Sequence, residues 1–125
     1  MKEETGMWIK RAEGDLEHAN SSLKLEHYGW AQLAAQQSAE KSLKAVLIEK
    51  NIGLVKTHDL TMLARKANAP KEIIEKAALL NPLYKPSRYP DVEIFLEETE
   101  IINMTKEAIE AASFILKWCK QQIKT

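Results

Sequence analysis

A chain of 125 residues with 45% hydrophobic and 29% charged residues can bury one core without staples, which argues against disorder. Eighteen basic residues offset eighteen acidic ones, so no whole-protein field draws the molecule to nucleic acid or to an anionic membrane. A lone cysteine, Cys119, excludes a disulfide framework within the chain, and no apolar run approaches the ~18 residues of a membrane span.

The N-terminal stretch is polar and lacks the apolar segment of a signal peptide, so the expectation is a cytoplasmic protein without membrane attachment. There is no repeat, low-complexity tract or linker, and residues 1–125 read as a single domain.

A first helix is expected to begin near Thr5. Trp8, Ala12, Leu16, Ala19 and Leu23 follow helical steps on one face, with charge on the others. It should stop near Glu26–His27. A second helix is expected from about Tyr28 to Lys50, with a face of small residues (Ala31, Ala34, Ala35, Ser38, Ala39, Ser42) that admits a close neighbour. Asn51 and Gly53 suit its left-handed end. Thr57 reads as the N-cap of a short third helix carrying Leu60, Leu63 and Ala64, with Asn68 ending it. Pro70 suits the first position of a fourth helix, which Pro82 stops.

Residues 81–90 hold three prolines and form the one irregular stretch. A last helix should start between Asp91 and Glu97. Phe95, Ile102, Ile109, Leu116 and Ile123 form one row spaced by seven, and Ile94, Ile101, Ala108 and Ile115 a second beside it. No alternation of period two appears anywhere. The expected fold is an all-α, antiparallel up-and-down bundle of about five helices, four long and one short.

Three segments carry candidate chemistry. On the second helix, Gln37, Lys41 and Lys44 share one face, and Gln36 and Glu40 another. They form either a solvated face with an ordinary helical ion pair or a polar wall along a cleft. Lys56-Thr57-His58-Asp59 is a helix entry, where simple capping competes with anion binding helped by Lys56 and His58. Pro86-Ser87-Arg88-Tyr89-Pro90-Asp91 offers a guanidinium for phosphate and a ring for stacking; the plainer alternative is that Tyr89 packs and Arg88 pairs with Asp91. No HxxxH, paired cysteine or repeated Glu-x-x-His supports a metal, and no P-loop or nucleophile elbow is present, so neither metal nor cofactor is expected. Cys119 reads as a buried structural thiol.

The run from Ala34 to Leu47, then Gly53, then Lys56-Thr57-His58-Asp59-Leu60, then Ser87-Arg88-Tyr89-Pro90-Asp91, resembles the prokaryotic HEPN domain family in order and spacing. Trp8 to Leu16 resembles the family's opening as well, so the resemblance covers almost the whole chain. It implies a bundle of about five helices, a homodimer, a nucleotide or RNA ligand, and a small nucleotidyltransferase as partner in a toxin–antitoxin-like system. Active members are metal-independent RNases that use an arginine and a histidine separated by four to six residues. Here no histidine follows Arg88 or Arg65, and Arg11 with His18 lies in the first helix, away from the motif's place. The sequence therefore points to a binding module and not to robust catalysis. Its candidate contacts are Gln37, Glu40, Lys41, Lys44, Lys56, His58, Arg88 and Tyr89, with Lys41 and Lys44 countering phosphate charge. Two rivals stand beside it. One is an RNase with an unusual set, Arg88, His58 and Asp91. The other is a homodimeric helical interaction protein with no small ligand.

Overall fold

A computed structural model describes residues 1–84 and 97–123. Among these residues lie five α-helices: α1 (Glu3–Lys24), α2 (Tyr28–Glu49), α3 (Leu60–Lys66), α4 (Lys71–Leu80) and α5 (Glu98–Ile123), with a 3-10 turn at Asn81–Tyr84 after α4. No strand occurs among the described residues.

α1 and α2 form an antiparallel hairpin. Its small-residue face allows a Ser38 hydroxyl to reach the Ala12 backbone carbonyl of α1 at 2.7 Å. Only a short side chain at each crossing point lets a hydroxyl of one helix meet the main chain of the other. Ala12, Ala19, Ala31, Ala35 and Ala39 are completely buried there. α4 and α5 complete the up-and-down order, so α5 lies beside α2 in the same direction. Gln32 donates to the Thr105 hydroxyl at 3.0 Å near the start of both. α5 runs opposite to α1, where Lys120 meets Glu13 at 2.7 Å.

The core is apolar and continuous. Leu43, Leu47, Leu60, Leu63, Ile73, Leu80 and Ile115 are fully buried within it, and truncating any of these to alanine should cost about 2–5 kcal/mol. Ala108, Ile109, Ile115, Leu116 and Ile123 of the two seven-spaced rows are buried, and Thr105, Ala112 and Cys119 add a third buried row. Phe95 and Ile94 lie outside the described residues. On α1, Thr5 and Ile9 are buried beside Ala12 and Ala19, whereas Trp8, Leu16 and Leu23 pack half-buried against the core.

The helix ends follow one device. Glu26, Asn51 and Asn68 take positive φ (62°, 62° and 56°) one residue beyond the caps. The next N–H returns to a carbonyl in the last turn: His27 to Ser22, Ile52 to Leu47 and Ala69 to Ala64. Asn51 and Asn68 do this as their residue type predicts. Glu26 carries no such preference and is placed there by the turn into α2. The N-cap of α3 differs from the expectation. Asp59, not Thr57, caps it, accepting from the Thr61 and Met62 backbone N–H groups. Thr57 instead accepts from the Asp59 N–H at 3.1 Å, shaping the turn before the cap. A carboxylate two residues closer to the helix reaches two amides that the Thr57 hydroxyl does not. Pro70 likewise sits at the N-cap of α4, one residue before the helix proper.

Candidate functional site

The polar residues of α2 do not form a solvated face. Gln32, Gln36, Glu40 and Lys44 recur every fourth residue, and all four are buried, at 8%, 0%, 5% and 8% exposure. They make a polar stripe along a helix otherwise packed with small and aliphatic side chains. Buried charge and amide groups must find partners or cost several kcal/mol, so the stripe is read through its partners.

At its centre, Lys44 Nζ donates to Glu40 Oε2 at 2.9 Å. The other carboxylate oxygen, Glu40 Oε1, lies 2.9 Å from His58 Nδ1. One buried carboxylate therefore joins a lysine of its own helix to a histidine in the loop before α3. The Lys44 ammonium also lies 6.0 Å from the Trp8 ring centre, at the outer limit of a cation–π contact. One turn earlier, Gln36 Oε1 accepts from Gln37 Nε2 at 2.7 Å. The Gln36 amide nitrogen has no hydrogen-bond partner among the described residues, which costs about 1–3 kcal/mol.

His58 is more than half exposed, with 58% of its side chain accessible. It lines an open cavity of about 660 Å³ together with Thr57, Asp59, Asn81 and Pro82. The walls are held firmly. Asp59 Oδ1 accepts from the Thr61 hydroxyl at 2.7 Å and from Asn81 Nδ2 at 2.9 Å, and Asn81 Oδ1 accepts from the Leu60 N–H at 2.8 Å. The Thr61 hydroxyl and the Asn81 amide, with the α3 backbone amides, hold the Asp59 carboxyl below its ordinary range. Asn81, which no sequence pattern singles out, thus ties the end of α4 to the start of α3. A polar residue directly before a proline is the only signal it offers.

The candidate contacts divide accordingly. Glu40, Lys44 and His58 come together. Gln37 stands half-buried on Gln36 one turn away. Lys41 turns toward α1 and pairs with Asp15 at 2.6 Å, and Lys44 is engaged by Glu40, so each of these charges already faces a carboxylate. Lys56 is exposed just before Thr57. Arg88, Tyr89 and Asp91 lie outside the described residues.

A second open groove, of about 490 Å³, runs between α4 and α5. Glu72, Glu75, Glu107 and Glu110 line it with Lys76, a charge balance that repels a polyanion. No group of side chains among the described residues is arranged to hold a metal ion. No helix among them is long and apolar enough to cross a membrane. Cys119 is fully buried, and burial pushes its thiol well above the ordinary value, as a structural cysteine requires.

Comparison with known proteins bears on this geometry. Residues 5–122 match the HEPN domain family. A stretch of 46 residues is 50% identical to a Methanocaldococcus jannaschii protein named a "putative toxin"; it covers 37% of this chain and 30% of that protein's length. The crystal structure of an archaeal HEPN homologue superposes with a TM-score of 0.80 at 37% identity, covering 99% of this chain and all of that one (100%). A Thermus thermophilus protein of known crystal structure gives a TM-score of 0.83 at 28% identity, over 97% of this chain and 99% of its own. A HEPN domain protein from Thermotoga maritima shares the fold, with a TM-score of 0.76 at 23% identity over 92% of this chain and 95% of its own.

Proposed function

The chain belongs to the HEPN domain family, and on that premise we propose that it is a binding module for a nucleotide or RNA, seated at the His58 cavity. The observation that supports this reading is the Lys44–Glu40–His58 chain of contacts opening into a polar cavity. Core packing has no need of a buried ion pair there, since apolar residues of similar volume are often no less stable. A pair kept at that cost, and coupled to an exposed histidine beside a cavity, fits a ligand site better than a packing role.

Arg88 and Tyr89 supply, on the sequence reading, a phosphate contact and a stacking face for the same ligand. We further propose a homodimer and a small nucleotidyltransferase as partner, in a toxin–antitoxin-like setting; the toxin name of the Methanocaldococcus relative supports that setting.

The test is fluorescence anisotropy with a labelled oligoribonucleotide and with a panel of nucleotides, for wild type, His58→Ala and Arg88→Ala. Loss of a charge-assisted contact at Arg88 should weaken binding about ten- to a hundredfold. Unchanged affinity in both variants would remove the proposed site. Cleavage of the RNA by wild type, lost in His58→Ala, would turn the reading toward an RNase built on Arg88, His58 and Asp91.

A further inference from the structure

We propose that the outer face of α5 is the surface through which two copies of this chain pair, antiparallel about a twofold axis near Phe114. The inference rests on the homodimer reading above and adds what that reading leaves open: which surface joins the two copies and why it selects itself.

α5 carries two kinds of seven-residue row. The apolar rows face inward, against α2, α4 and α1. On the outside a second set stays exposed: Glu107, Phe114 and Gln121 in one row, Glu110 and Lys117 in the row beside it. Residues three, four and seven apart share a helix face, so these side chains form one strip about 21 Å long at 1.5 Å per residue.

The strip is ordered by charge. In its first half, Glu107 and Glu110 line the groove of about 490 Å³ that Glu72 and Glu75 of α4 make more acidic. In its second half, Lys117 and Lys120 line a smaller open hollow of about 330 Å³ with Ser113 and Gln121. Phe114 stands between the halves, 39% exposed, with the Lys76 ammonium 4.8 Å from its ring centre. Leu79, also exposed, adds apolar surface in the acidic groove. Lys120 is held by Glu13 of its own chain. Glu107, Glu110 and Lys117 have no ion-pair partner among the described residues.

An acidic half and a basic half on either side of one aromatic ring match themselves. Turning a second copy by half a circle about an axis through Phe114, perpendicular to the helix, lays Glu107 and Glu110 of each copy along the Lys117 end of the other. The two rings then meet at the centre. Such a contact, one patch against itself, is how twofold dimers form. A foreign basic helix would match only the acidic half, and parallel pairing of two copies would set like charges side by side. The charge order therefore selects a second copy and its direction, while the central rings, shut away from water, hold it.

The test is sedimentation velocity of the full chain over a concentration series, with variants at exposed positions and helical content checked by circular dichroism. Wild type should be a dimer. Phe114→Ala should weaken it about a hundredfold, as loss of a central aromatic anchor does. Lys117→Glu makes the strip wholly acidic, and Glu107→Lys/Glu110→Lys makes it wholly basic. Each should weaken self-association about tenfold or more. Mixed together, these two variants should recover a dimer holding one copy of each.

A wild-type dimer untouched by all three variants would overturn the inference and leave the homodimer reading standing. Variants that dissociate singly but do not recover on mixing would overturn it too, because opposed charge halves require that rescue. A wild type that stays monomeric at every concentration would overturn both.

Discussion

Glu40 and Glu49 sit on the same helix and meet lysines in opposite ways. Glu40 is 5% exposed and bonds Lys44 one turn along its own helix. Glu49, at the end of α2, receives the Lys2 backbone N–H at 2.9 Å and the Thr5 hydroxyl at 2.9 Å. The Lys2 ammonium goes past it to the Ile48 carbonyl at 2.9 Å and to the Asn51 side chain. The first carboxylate joins neighbours in sequence and is shut away from water. The second joins the start of the chain to a helix end and stays partly exposed, with 17% of its side chain accessible. A buried pair is costly to break because a lone charge is left behind, whereas a solvated contact is replaced by water. The difference separates a buried ion pair within one helix from a contact that fastens a terminus.

The largest expected effect follows from that contrast. Glu40→Ala should destabilise the domain by about 3–5 kcal/mol in denaturant unfolding, and replacing Glu40 and Lys44 together by apolar residues should cost much less. If the single substitution cost under ~1 kcal/mol, the pair would be behaving as a surface pair and the contrast would fail.

Asp59 stands between the two cases, half-buried but bonded to a helix start. Asp59→Ala should cost about 1–2 kcal/mol, the worth of a good N-cap, and the loss should be greater than for Thr57→Ala. Equal losses would return the capping role to Thr57.

Glu49 should give the smallest effect, read through pH. The Lys2 N–H and then the Thr5 hydroxyl hold its carboxyl below the ordinary value in the folded state. A lowered folded value contributes stability that is present above the unfolded value of roughly 4.3 and lost as pH falls through the folded one. Wild type should therefore exceed Glu49→Gln in stability near neutral pH, with the gap closing on acidification. A gap that widened toward acid would reverse the assignment.

Much of the fold was legible because its signals are local. The seven-spaced rows of α5, the small face of α2 and the left-handed Asn51 and Asn68 all act within a few residues of one another. Glu26 was not legible, since nothing in a glutamate favours positive φ and the turn between two packed helices imposes it. The candidate site was half legible. The spacing of Gln36, Glu40 and Lys44 placed them near one another on α2, but not inside, because burial depends on which helices close over the stripe. Spacing alone also set Lys41 beside them, whereas α1 draws it away to Asp15. His58 was singled out as a helix-entry residue. Its contact with Glu40, across 18 residues of sequence, follows from the path of the loop after Gly53, which no pattern of residue types encodes.

The alanine and serine face between α1 and α2 bears on the order of assembly. These side chains surrender little or no rotamer freedom when they pack, and the turn at Leu25–His27 closes the hairpin with a very short loop. α5 must instead find its place after most of the chain has been made. Early interactions should thus concentrate in the hairpin, so substitutions at Ala12 or Ala35 should slow folding, while those at Ile115 or Leu116 should chiefly speed unfolding.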